Sequence, residues 1–67
     1  MSVARITEIS SLSKKSFDDA ITQGVARANK TLKNVKGVWI KDQKVLVEKG
    51  KIAGYKVMMK VTFVLAD

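Results

Sequence analysis

"YKVMMKVTFVL", residues 55–65, alternates in a way that few conformations satisfy. Successive side chains of a strand point to opposite faces. As a strand, this stretch puts Tyr55, Val57, Met59, Val61, Phe63 and Leu65 on one face, and Lys56, Met58, Lys60, Thr62 and Val64 on the other. The first face is apolar throughout and needs a cover. The second mixes lysine with Met and Val.

Upstream, "GVWIKDQKVLV" (37–47) is also strand-like, and "EKGK" (48–51) separates the two runs. Gly50 tolerates the positive φ of a tight hairpin turn. In this strand Val38, Ile40 and Leu46 share one parity and Trp39, Val45 and Val47 the other. Apolar groups thus stand on both faces. A sheet covered by one helix buries only one face within the subunit. Trp39, Val45, Met58 and Val64 are therefore expected on a second surface that another chain or a ligand covers.

From residue 16 the period changes. Phe17, Ile21, Val25, Ala28, Leu32 and Val35 recur at steps of four and three, the spacing of one helix face, with the small residues Ala20 and Gly24 flanking it. Ser16 suits the N-cap, and Asp18 and Asp19 suit the positive end of the helix dipole. Lys30, Lys33 and Lys36 suit the negative end, and Gly37 lies where a left-handed cap or chain reversal costs least. Before the helix, residues 2–9 read as a first strand ending in a turn at Ser10, Ser11 and Ser13.

These elements make an α+β chain of β-α-β-β order in a single domain over residues 1–67, with no Pro or low-complexity stretch to mark a linker. A chain this short buries a small share of its surface. It has neither Cys nor His, so disulfide and zinc staples are missing, and self-assembly is the expected source of further burial. No stretch approaches the roughly 18 apolar residues of a membrane span. The N-terminus lacks the pattern of a secretory signal. The expectation is a soluble, cytoplasmic homo-oligomer.

The net charge is +7, from 13 Lys and Arg against 6 Asp and Glu. That favours anionic partners, but the basic residues are spread along the chain and one Trp and one Tyr make a poor stacking platform, with Phe17 and Phe63 expected in the core, so nucleic acid is disfavoured. Without His and Cys, the commonest general base and the thiol nucleophile are absent. Among Glu8, Asp18, Asp19, Asp42, Glu48 and Asp67 no pair suggests acid and base roles, and the chain is read as a non-enzyme. A metal would have to be a hard cation held by oxygens, against an excess of lysine.

The helix "FDDAITQGVARANKTLKNV" (17–35) and the closing "Y-K-V-x-x-K-V-x-F" strand (55–63) resemble those of the dodecins, over essentially the whole chain. The resemblance implies a three-stranded antiparallel sheet wrapped on one long helix, with twelve copies forming a hollow shell built from trimers. It also implies binding, storage or buffering of a flavin, riboflavin or FMN, without catalysis. In flavin-binding dodecins, isoalloxazine rings stack in pairs between tryptophans of two-fold-related subunits, and a glutamine of the last strand bonds the ring edge.

Carried onto this chain without gaps, the stacking tryptophan falls on Gly37 and the glutamine on Lys56. Trp39 is a displaced candidate on the same side of the strand, moved by roughly 6–7 Å, and its other reading is packing at a subunit contact. Asp42 matches an acidic position near the family's pocket, Gln43 follows it, and Tyr55 matches the aromatic before the glutamine position. The candidate ligand residues are thus Gly37, Trp39, Asp42, Gln43, Tyr55 and Lys56. Lys56 at the lip of such a site favours a phosphorylated ligand, FMN or a coenzyme A moiety, over neutral riboflavin. The alternative is a dodecin-fold shell without flavin that binds calcium or a nucleotide.

Overall fold

The structure, a computed structural model, describes residues 3–65. Four elements follow one another: β1 (Ala4–Ser13), α1 (Phe17–Thr31), β2 (Val35–Glu48) and β3 (Lys51–Val64). The strands form one antiparallel sheet in the order β1-β3-β2, with the last strand in the middle. The helix covers one face. This is the expected β-α-β-β arrangement.

The alternating apolar face of β3 sets the core. Val57, Met59 and Val61 are fully buried beneath Ala20 and Ala28 of α1, and Ile9, Phe17, Ile21, Leu32, Val35, Val38 and Ile40 pack around them. Tyr55 lies edge-on to Phe17, with ring centroids 5.2 Å apart at 78°. Gly24 lets the helix approach closely, since a Cβ there would stand 2.9 Å from the Met59 Cε and 3.2 Å from the Ser11 Cβ. The small residues beside the apolar stripe thus mark the line where helix and sheet meet.

Ser16 caps the helix as expected, its Oγ accepting from the Asp19 N–H at 3.0 Å. The serines before it do not form the expected turn. β1 continues to Ser13, because Ser10, Ser11 and Leu12 are paired with Met58, Val57 and Lys56 of β3. Ser13 is buried, accepts from the Lys15 N–H at 2.9 Å and donates to the Asp19 carboxylate at 2.6 Å, joining the strand end to the first helical turn. Ser2, where the first strand was expected to begin, and Asp67 lie outside the described residues.

The helix also stops earlier than its stripe. Leu32 is the C-cap, and its N–H bonds the Ala28 carbonyl at 2.8 Å. The left-handed residue after it is Asn34, with φ 61°, so the chain reverses there and Gly37 belongs to β2. Asn is among the few residues that take this conformation at low cost. The β2–β3 turn falls where expected, with Lys49 at φ 52° and Gly50 at φ 75°, and Glu48 paired with Lys51.

A register shift between Ile40 and Asp42 breaks the alternation of β2. Beyond it Val45 pairs with Tyr55 on the helix side and Leu46 with Gly54 on the other, the reverse of the simple parity. A bulge puts two residues opposite one, so the chain after it presents the other face.

The helix of 15 residues is about 22 Å long at 1.5 Å per residue. The strands of 14 residues run about 46 Å at 3.3 Å per residue. The β2–β3 hairpin therefore projects past its cover, leaving Val47 66% and Ile52 58% exposed. The long axis is 51 Å, and the radius of gyration is 13.7 Å, where a compact chain of this length has about 11 Å. The accessible surface is 5166 Å², against about 4,200 Å² for a folded monomer of this mass.

Candidate ligand-binding face

The sheet face away from the helix is built as rows across the three strands. Register places Ile6, Thr62 and Gly37 in one row, then Glu8, Lys60 and Trp39, then Ser10, Met58 and Asp42, then Leu12, Lys56 and Lys44. Side chains that pair across strands share a face. Four candidates, Gly37, Trp39, Asp42 and Lys56, thus come together on this surface.

Gln43 and Tyr55 do not join them. Gln43 pairs with Val57, and Tyr55 stacks on Phe17, both on the helix side of the sheet. The register shift after Ile40 turns Gln43 to the helix side, because the extra residue moves Asp42, which shares the parity of Val38 and Ile40, to the outer face. Tyr55 follows from the odd parity it shares with the core residues of β3.

Trp39 is 62% exposed, the indole standing free of the core. Lys60 reaches over it, its Nζ 5.1 Å from the ring centroid, within cation–π range. Gly37, one pleat away, leaves open space, since a Cβ there would meet nothing within 4 Å. Glu8, across the row from Trp39, pairs with Lys41 at 3.3 Å, the ion pair of the described residues.

Further along, Asp42, Lys44, Lys56 and Met58 line a small open groove of about 130 Å³. A larger open groove of about 640 Å³ runs between α1 and β1, lined by Ile9, Ser11, Gln23, Gly24 and Arg27 among others, and contains none of the candidate residues. Among the described residues, no three carboxylates gather as a metal site would require. No helix among them is long and apolar enough to cross a membrane.

Sequence reasoning put Lys60 on this face without naming it as a site residue, and missed Lys44 altogether. Lys60 had a signal, its even spacing from Lys56 on one strand. Lys44 had none, because its place opposite Lys56 depends on the bulge in β2. Glu8 and Lys41 are 33 residues apart, and only the sheet brings them together.

The face can offer one indole for stacking, lysine donors to a ring edge or anion, and the Asp42 carboxylate as acceptor. These groups fit a planar ligand bearing carbonyls or a phosphate. They lack the amide that offers a donor and an acceptor at once.

The family described as Dodecin matches residues 3–66. Among solved structures, the dodecin from Streptomyces davaonensis is 33% identical, with 98% of this chain and 97% of that one covered and a TM-score of 0.93. The dodecin from Streptomyces coelicolor is 27% identical, with 98% and 94% covered and a TM-score of 0.92. A single-residue variant of the Thermus thermophilus dodecin is 25% identical, with 100% and 98% covered and a TM-score of 0.93. Among curated proteins, none matches the chain.

Proposed function

Because the chain belongs to the dodecin family, we propose that it is a non-enzymatic homo-oligomer that binds and buffers a flavin on the sheet face away from its helix. The observation that carries this is Trp39, a large ring left 62% exposed on a face that the fold does not cover. An exposed indole is an expensive residue to leave in water, and planar ligands recover that surface by stacking.

Trp39 stacks the isoalloxazine in place of a residue at Gly37. The open space at Gly37 leaves room for a ring offset along the strand. The Lys56 ammonium donates to carbonyl oxygens at the ring edge, and Asp42 accepts from the imide N–H. Lys60, now resting on the indole, must swing aside or stand at the rim of the stacked ring. The assembly is a dodecamer in the cytoplasm, with the chain as a single domain. Its support is the projecting hairpin and the surplus of accessible surface, which further copies would bury.

A second reading is favoured by Gly37 and Lys56, which stand where flavin-binding dodecins carry the stacking tryptophan and the glutamine. On that reading the assembly is a shell without flavin, taking an ion or a nucleotide. Titration of purified protein with riboflavin and FMN, followed by flavin fluorescence, separates the two. Saturable quenching supports the flavin site, since stacking on indole quenches the emission; none at micromolar protein leaves the shell.

A further inference from the structure

Past the row of Ser13, Tyr55 and Val45 the sheet loses its first strand, since β1 ends at Ser13. From Tyr55 to the turn at Gly50, five residues or roughly 16 Å at 3.3 Å each, β2 and β3 run on as a two-stranded ribbon. The helix gives it no cover, because α1 starts over Tyr55 and runs toward Met59, away from the turn. A hairpin with neither a third strand nor a helix against it is marginally stable in water. Val47 and Ile52, register partners in this ribbon, are both exposed. The ribbon needs a cover that its own chain does not supply.

The chain also carries the open groove of about 640 Å³ between α1 and β1, which none of the candidate ligand residues lines. Its apolar residues include Ile9, Ala28 and Leu32, and it extends from Thr7 to Leu12. That is again five residues of strand, the length of the ribbon. Arg27 is the one charged residue lining it. Glu48 is the one carboxylate of the ribbon. Among the described residues the ion pair is that of Lys41 and Glu8, so Arg27 and Glu48 are unpaired within the chain.

We infer that the α1–β1 groove takes the β2–β3 ribbon of a second copy, with Val47 and Ile52 against the apolar lining and Glu48 meeting Arg27. This rests on the homo-oligomer reading above, whose contact it names, and is independent of the flavin. The accessible surface exceeds that of a folded monomer of this mass by about 1,000 Å², enough for the roughly 800 Å² per partner that a stable interface takes. Each copy carries a charge of +7, so long-range repulsion opposes association. A contact that joins arginine to carboxylate offsets it locally with charge-assisted bonds. Ribbon and groove are different surfaces of one chain, so the contact is head-to-tail and closes into a ring rather than a two-fold pair.

Sedimentation velocity of the full chain gives the first test. Arg27 and Glu48 are exposed, so Arg27→Glu and Glu48→Arg should leave the circular dichroism unchanged, while each weakens self-association by about tenfold or more. The two together should restore most of the loss, which a merely structural role of either residue would not do. Unchanged association in both single variants, or no recovery in the double one, overturns the inference and leaves the homo-oligomer reading standing. A native protein that sediments as one chain overturns both. The second test exploits a chain that has no Cys of its own. Val47→Cys and Thr31→Cys, combined and treated with a short bis-maleimide, should give a ladder of covalently joined chains, and Val47→Cys alone should stay single. Covalent dimers from Val47→Cys alone would set two ribbons against each other about a two-fold axis and overturn the inference, as would a combined variant that gives no ladder.

Discussion

On the helix side of β3, Val57, Met59 and Val61 are sealed from water, while on the opposite side Met58 and Val64 stay half-buried and alternate with Lys56, Lys60 and Thr62. The two faces belong to one strand, and both carry apolar side chains. One is finished inside the chain by a helix whose small residues let it approach. The other has an indole, four lysines and two carboxylates, and its apolar parts are separated by charge. The contrast shows how a small chain divides its labour. The inner face supplies stability, and the outer face is left to be completed by whatever meets it.

The largest expected effect lies on the inner face. Met59→Ala empties the centre of the core, where the side chain touches α1 at Gly24. It should cost about 2–5 kcal/mol, read from urea unfolding at fixed protomer concentration, because assembly contributes to the apparent stability. A much smaller loss would mean that the outer face carries part of the fold.

Trp39→Ala addresses the other side. Flavin quenching should vanish while elution volume stays the same, and intrachain stability should fall by no more than about 1 kcal/mol, the worth of an exposed cation–π contact with Lys60. Dissociation of the assembly with quenching retained would instead place Trp39 in a packing interface, where truncation costs about 2 kcal/mol or more.

Asn34 tests the reversal that delivers β2 to the sheet. Asn34→Ala at φ 61° should cost about 1 kcal/mol, and Asn34→Gly close to nothing, in the same unfolding assay. Equal losses would point to the long Asn34 bond to the Val64 carbonyl, at 3.4 Å, rather than to the backbone. The smallest effect is expected from Lys41→Met. Its pair with Glu8 is exposed, with 47% and 40% of the side chains accessible, and removing it should change stability by less than about 0.5 kcal/mol. A larger loss would show that charge on the outer face holds the strands together.

Much of this was legible in the residues. The stripe from Phe17 to Ala28, the cap at Ser16, the turn at Gly50 and the buried parity of β3 all follow from local periods and turn chemistry. The site was legible in part. Trp39, Gly37, Asp42 and Lys56 share the outer face, while Gln43 and Tyr55 face the helix. Tyr55 could have been set apart by its parity with Val57 and Met59. Gln43 could not, because the bulge that turns it leaves no mark in the pattern of β2.

The sequence by itself determined which segments are helix and strand and which side of the last strand is buried, since those depend on the spacing of neighbouring side chains. Only the tertiary structure decided that β3 lies between β1 and β2, that β1 runs on through its serines, that Asn34 rather than Gly37 reverses the chain, and that Lys44 stands against Lys56. Those outcomes depend on register between distant strands. A single inserted residue in one strand reverses every face beyond it, and only the partner strand reveals where the insertion falls.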